Sequence, residues 1–452
     1  MISLTFAQVA DWVGGTCIYC PLEQEVAQVT IDSREVQPNA LFVALPGTRT
    51  DGHAFVEAAW RAGAVALVRR NFWDWRGPQI RVDSPLAAMG RLLRRYLDQH
   101  QVTVVGVTGS VGKTSVKELI TAVLSQHYPT TASQGNYNTA IGLPLSFFAG
   151  APGATHFVAE MGMSAPGEIL RMTAMAPPTV AVITTIGPSH LEKLGSMEAI
   201  QRAKGEILEG MKPDGLAILN GDNRWVRELG EKSPRRVWWF GRQFAPDARV
   251  VEVRVEEAGT RIQIDLHGRP VSVRLPWLGA HHADNVAAAL LAGEWLGVDV
   301  AAAVNGLEHI ATTRARIQVH RLGTVTVLED VYNASPLSTK AALEVLASRQ
   351  GRRLAVLGDM LELGSAEVSG HREVGSYCRG RADQVLAVGS RARLIFEAAK
   401  EEGVTAFWVP SREEAWSWLQ HVLQAGDVVL LKASRGMHFE WLVERIQEGV
   451  GP

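Results

Sequence analysis

Short apolar runs alternate along the chain with stretches in which apolar positions recur every three or four residues. In the first hundred residues, 26–31, 40–45 and 64–68 read as strands between helical stretches, the last of them at 84–100. On that helix Leu92, Leu93, Tyr96 and Leu97 share a face, which puts Arg91, Arg94 and Arg95 on a solvated side. At Val102 the pattern changes to VTVVGV, a β-branched run suited to a buried parallel strand, followed by a glycine-rich turn and a helix. Further runs at 155–160, 179–185 and 215–220, with helical segments between them, predict parallel strands joined by crossover helices. From 249 to 275 the period drops to two: Val251, Val253, Val255, then Ile262, Ile264, Leu266, then Val271, Val273, Leu275. Turn residues punctuate these runs, so an antiparallel meander is expected. A helical stretch at 284–297 leads to a boundary near 312–316. Beyond it, strands at 324–330, 353–359, 384–390, 406–410 and 427–434 again alternate with helices.

A length of 452 residues suits about three domains, each able to bury its own core. The fold class is α/β in three parts. A small α/β domain spans 1–99, a central parallel-sheet domain carrying the meander spans 100–313, and a Rossmann-like α/β domain spans 314–452. The 45 basic and 47 acidic side chains leave a formal charge of -2, which favours neither nucleic acid nor an anionic membrane surface. Three cysteines cannot build a disulfide framework. The start lacks a basic, then apolar, signal pattern, and no window offers the roughly 18 apolar residues of a membrane span. A cytoplasmic monomer without membrane insertion is expected.

The strongest chemical signal is VVGVTGSVGKTS at 104–115. A strand enters a glycine-bounded loop that ends in Gly112-Lys113-Thr114 at a helix start. Such a loop turns backbone N–H groups onto phosphate oxygens, the helix terminus adds positive potential, Lys113 reaches the outer phosphates and the Thr114 hydroxyl suits Mg²⁺. Val107 stands where the strict motif has its first glycine, so the loop is written TGxxGKT. An ATP site alone leaves kinase, ATPase and ligase open. Glu160 and His190 each follow a predicted strand, at the edge of a parallel sheet where ligands bind. A carboxylate there suits Mg²⁺, and an imidazole suits it less well. Lys204, inside a helix at 196–211 that Ser196 can cap, reads from its surroundings as a surface lysine. Cys17 and Cys20 form a CxxC without a second Cys/His pair nearby, which favours a small apolar role over zinc or redox chemistry.

Eight segments, TGSVGKTS, GNYNTAIGLPLS, AEMG, SHLEKLGSMEAIQRAKGEI, GAHHADN, EDVYNASP, GDMLELG and KASRG, occur in an order that resembles the Mur ligase family and spans all three expected domains. The stretch 32–55 is similar to that family's UDP-sugar-binding domain. GDMLELG with YNASP is most similar to the branch that joins D-alanyl-D-alanine to UDP-MurNAc-tripeptide, and the DNPR signature of the ligase adding the third amino acid is absent. The resemblance implies an ATP-dependent, ADP-forming amide ligase of peptidoglycan precursor synthesis that works through an acyl phosphate. It implies that Gly109, Ser110, Val111, Gly112, Lys113, Thr114 and Ser115 hold ATP, with Thr114 and Glu160 binding one Mg²⁺ and His190 helping to hold a second. Lys204 would be carbamylated by CO₂, its carbamate turned towards the metals. Asn285 would contact adenine, and Arg316, Asp330 and Asn333 would close on the nucleotide. Without the resemblance, Asn285 reads as a helix cap and the other three as linker and turn residues. Substrate contacts would come from Ser33, Arg34, Asp51, Gly52, His53, Asn136, Asn138, Lys432, Ser434 and Arg435. Thr139, Ala140, Ala315 and Ala433 depart from the family pattern, which touches the substrate loops and not the ATP site. A ligase adding a single amino acid, or a kinase or ATPase on the same loop, are the alternatives.

Overall fold

A computed structural model describes residues 4–47, 50–72, 75–150, 152–188, 191–311 and 317–449. Among the described residues the chain forms three sheets. The first runs in the order Thr16–Ile18, Gln79–Val82, Val65–Arg69, Ala40–Val43, Gln28–Thr30, antiparallel at its first pair and parallel thereafter. The helix predicted at 84–100 forms over Pro85–Gln99. Ser84 accepts from Ala87 N–H as its cap, and the fixed φ of Pro85 suits the first turn. Its leucine face is buried, whereas Arg91 bonds Val13 O and Arg94 bonds Asp98, so the arginines do line the outer side.

The central sheet has nine strands, with Thr103–Thr108 between His156–Glu160 and Val180–Ile183. Chain direction across the sheet switches there, which opens a crevice at the carboxyl ends of these strands. The register puts Val107 beside Glu160, so the acid stands next to the start of the glycine loop. Helix Lys113–Leu124 buries Val116, Leu119, Ile120 and Val123, the one-face spacing of an amphipathic helix, and packs on helix His282–Trp295. The meander forms as read, over Ala248–Glu256, Gly259–Leu266 and Arg269–Leu275. It is no appendage: strand Arg236–Gly241 joins it to the parallel strands in one continuous sheet.

The third sheet runs Gln318–Leu322, Val325–Asp330, Val428–Lys432, Arg353–Gly358, Gln384–Val388, Thr405–Val409, parallel except at its first pair. Apolar clusters on both faces of this sheet bury its middle strands. No helix among the described residues is long and apolar enough to cross a membrane.

Candidate active site

The glycine loop leaves strand Thr103–Thr108 through Gly109 and enters the helix through Gly112. Gly109 has φ +149°, and a Cβ there would stand 1.9 Å from Thr184 Oγ1, so only glycine fits. Gly112, at φ +89°, is the N-cap of the helix and brings no side chain to its first amides. Those donors therefore face the crevice, where an anion would complete them. Thr184 and Thr185, at the end of the neighbouring strand, fix the loop from below. Thr184 Oγ1 donates to Val111 O, Thr185 O accepts from Ser110 N–H at 2.7 Å, and Val111 N–H donates to Thr185 Oγ1 at 3.3 Å. Ser110 Oγ bonds both the carbonyl and the amide of Gly187. Sequence reasoning read the two threonines only as strand; a polar pair ending a buried strand was the signal that marked them.

Two lysines meet under this loop. Lys113 Nζ and Lys204 Nζ each donate to Gly109 O at 2.9 Å. The surface reading of Lys204 is corrected here: it is 2% exposed. Its helix, Met197–Gly210, capped by Ser196 as expected, is anchored by Glu206, whose carboxylate accepts from Gly167 N–H at 2.6 Å and Leu170 N–H at 3.0 Å. Burial pushes the Lys204 pKa well below the usual lysine value, and the nearby Lys113 charge pushes it further. Lys113 is also lowered by burial, while the Glu160 carboxylate acts in the opposite direction.

Glu160 is buried and bidentate in function. Its Oε2 accepts from Thr114 Oγ1 at 2.9 Å, its Oε1 from Asn138 Nδ2 at 3.1 Å, and its main-chain N–H donates to Ser133 Oγ at 3.0 Å. Asn138, expected in a substrate loop, thus joins the acid beside the phosphate loop. Asn136 is exposed two residues away. Thr139, one of the departures, accepts from Gly142 N–H ahead of helix Gly142–Ala149. Among the described residues no group of three or more His, Cys, Asp or Glu gathers. An oxygen pair from Thr114 and Glu160, completed by phosphate and water, fits Mg²⁺, which keeps several waters and suits hard donors. His190 and Arg316 lie outside the described residues.

The loop opens into a cavity of about 470 Å³ between the central and third sheets, walled by Lys113, Thr114, Asn285, Asp330, Asn333 and Lys432. Asn285 is not a helix cap. It lies inside helix His282–Trp295, buried, with its Oδ1 directed at Gly112. Beside it Asp284 has its pKa raised by burial, against the pull of Arg242 at 3.4 Å. On the opposite wall Lys432 donates to Asp330 Oδ2 at 2.7 Å and to Asn333 O at 3.0 Å. Lys432, expected as a substrate contact, thus lines this same cavity. Ser434 is buried and accepts from Leu361 N–H, and Arg435 is exposed, its guanidinium over the ring of Tyr332, a cavity residue that sequence reasoning passed over.

In the first domain several of the residues expected to contact substrate also bond within the chain. His53 Nδ1–H donates to Asp51 at 2.6 Å, and its Nε2 accepts from Arg69 N–H, so both ring nitrogens are engaged. Gly52 packs against the Leu45 backbone, where a Cβ would come within 2.8 Å. Arg34 is exposed and holds Asp32, whose carboxyl it lowers to about 2; Ser33, between them, is half-buried. A second cavity, of about 530 Å³, lies between the edge strand Gln28–Thr30 and helix Gly142–Ala149, with Tyr96, Tyr137 and Phe148 in its wall.

Three family models match the chain: Mur ligase family, catalytic domain, over 25–97; Mur ligase middle domain, over 107–293; and Mur ligase, glutamate ligase domain, over 315–435. A UDP-N-acetylmuramoyl-tripeptide–D-alanyl-D-alanine ligase of Bacillus subtilis is 36% identical, with 99% of each chain covered. The chain belongs to the Mur ligase family. Among solved Mur ligases, MurF from Acinetobacter baumannii superposes with a TM-score of 0.91 at 29% identity, covering 98% of this chain and 99% of that one. MurF ligase from Thermotoga maritima in complex with ADP superposes with a TM-score of 0.84 at 30% identity, covering 94% and 98%.

Proposed function

We propose that this Mur ligase joins D-alanyl-D-alanine to UDP-MurNAc-tripeptide, driven by ATP, in peptidoglycan precursor synthesis. The observation that carries the chemistry is the convergence of Lys113, Lys204, Thr114, Glu160 and Asn138 on one glycine loop. The full-length likeness to MurF proteins carries the choice of substrates.

The first domain holds the UDP-sugar end, the central domain the ATP and the peptide carboxylate, and the third domain closes on the nucleotide and the amine. The peptide carboxylate attacks the γ-phosphorus of ATP, giving an acyl phosphate and ADP. The amine of D-alanyl-D-alanine then attacks the acyl carbon, and phosphate leaves from the tetrahedral intermediate. Two anions meet in the first step, so the loop amides and the Lys113 ammonium must offset their repulsion. Mg²⁺, held by Thr114 and Glu160, would supply further charge neutralisation across the phosphates, with His190 at a second ion. Burial, and then the Lys113 charge, shift Lys204 towards the neutral amine, the form that CO₂ carbamylates. No protein nucleophile is needed. Water would hydrolyse an acyl phosphate, so it must be kept out during the reaction, and facing walls from two domains offer a means of doing so. Mass spectrometry of the product formed from UDP-MurNAc-tripeptide, ATP and a panel of amines tests this: D-alanyl-D-alanine should be the best acceptor, and a single amino acid outperforming it would overturn the assignment. Oxygen-18 in the peptide carboxylate should appear in the released phosphate.

A further inference from the structure

Lys117 takes no part in the chemistry above, yet it is buried, at 5% exposure, one turn beyond Lys113 on the same helix. Its Nζ donates to Ser133 O at 2.8 Å. Ammonium burial against a carbonyl carries a desolvation cost that a methionine of similar length would avoid. What the contact holds is therefore of interest. Ser133 Oγ accepts from the main-chain N–H of Glu160 at 3.0 Å, and Ser133 N–H donates to Val158 O at 3.0 Å.

Thr114 and Lys117 stand three residues apart and so share a face of the helix. That face holds Glu160 twice: Thr114 bonds its carboxylate directly, and Lys117 bonds its backbone through Ser133. The segment that starts at Ser133 then runs to Asn138, whose amide returns to Glu160 Oε1 at 3.1 Å and whose carbonyl accepts from Gly162 N–H at 2.8 Å. Lys117, Ser133, Asn138, Glu160 and Thr114 thus close a ring around the oxygen donor beside the phosphate loop. A metal site tolerates displacements of only about 0.5 Å in its ligands, so a tie of this kind has a direct consequence for the ion.

We propose that Lys117 is a positioning residue that, through Ser133, sets the Glu160 carboxylate for Mg²⁺ and so governs metal-dependent nucleotide binding. The proposal rests on the nucleotide-site reading above. Equilibrium binding of a fluorescent ATP analogue, measured across a Mg²⁺ titration, tests it without relying on turnover. In Lys117→Met the Mg²⁺ concentration needed for half of the tightening should rise about tenfold, the usual cost of losing an outer partner of a ligand. Affinity in the absence of Mg²⁺, which the loop amides supply, should stay within about twofold, because outer-partner loss acts on the metal ligand alone. Ser133→Ala should shift the Mg²⁺ requirement in the same direction, and the double variant should behave as Lys117→Met alone, because both act through one link. Equal loss of affinity with and without Mg²⁺, or an unchanged Mg²⁺ requirement in Ser133→Ala, would overturn the proposal. Should Lys117→Met fail to fold, Ser133→Ala decides it. A wild-type chain that bound no nucleotide at all would instead remove the nucleotide site, and the proposal with it.

Discussion

Two lysines near the nucleotide cavity, one beneath the glycine loop and one in the third-domain wall, are buried to the same degree, 2% exposed, and treated in opposite ways. On the third-domain wall Lys432 has a carboxylate, Asp330, at 2.7 Å. Beneath the glycine loop Lys204 has the Gly109 carbonyl, which Lys113 shares. The Asp330 carboxylate offsets part of the cost of burying the Lys432 head group, and the pair ties two strand ends together. A lysine that meets only a dipole and a like charge is pushed towards the neutral amine. At equal burial, then, one lysine forms a structural tie and the other is shifted towards its neutral form; the partner decides, not the depth.

The largest effect should come from removing the Lys204 amine. Lys204→Ala should lower the rate of ADP formation by about 10²-fold or more, and added short carboxylic acids should return part of it by standing in for a carbamate. Full activity in that variant would erase the functional half of the contrast. Next, Asp330→Asn leaves Lys432 buried without its counter-ion. It should reduce stability by about 3 kcal/mol, read from urea unfolding followed by the third-domain tryptophans.

A smaller and opposite effect is expected beneath the glycine loop. A lysine whose folded pKa is depressed binds fewer protons folded than unfolded, so it weakens the fold below that pKa, and the penalty fades as pH rises towards the ordinary lysine value of 10.5. Lys204→Met should therefore unfold at higher urea than wild type near pH 7, with the advantage shrinking towards pH 10. A constant difference across that range would show that folding does not depress the Lys204 pKa. The smallest effect concerns thiols, which follow the same rule. Burial pushes Cys20 and Cys378 up to about 12, so both should resist alkylation at pH 8, and Cys20→Ala should cost about 1 kcal/mol or less.

Much of this arrangement was readable in the chain. The glycine loop is contiguous, and its strand, turn and helix are each declared by local periodicity. The meander followed from its period of two, and the helix caps at Ser84 and Ser196 from residue type. Several strands escaped. Gln79–Val82 is wholly buried although it carries Gln79 and Arg81, because Arg81 bonds the Gln79 side chain and Gln79 in turn bonds Trp75 O. Paired polar groups in a buried strand erase the alternation that periodicity detects. Arg236–Gly241, half-buried for most of its length, and the partly exposed edge strand Gln318–Leu322 lack it for the complementary reason.

From its own sequence this protein determined the α/β class and the phosphate loop, because each depends on neighbours within a few residues. Only the tertiary structure decided which lysine meets a carboxylate and which meets a carbonyl and a like charge. Lys204 meets its carbonyl 95 residues away and Lys432 its carboxylate 102 residues away. A side chain's charge state depends on what is folded against it, and that partner is set by the packing of sheets and domains rather than by the residues on either side.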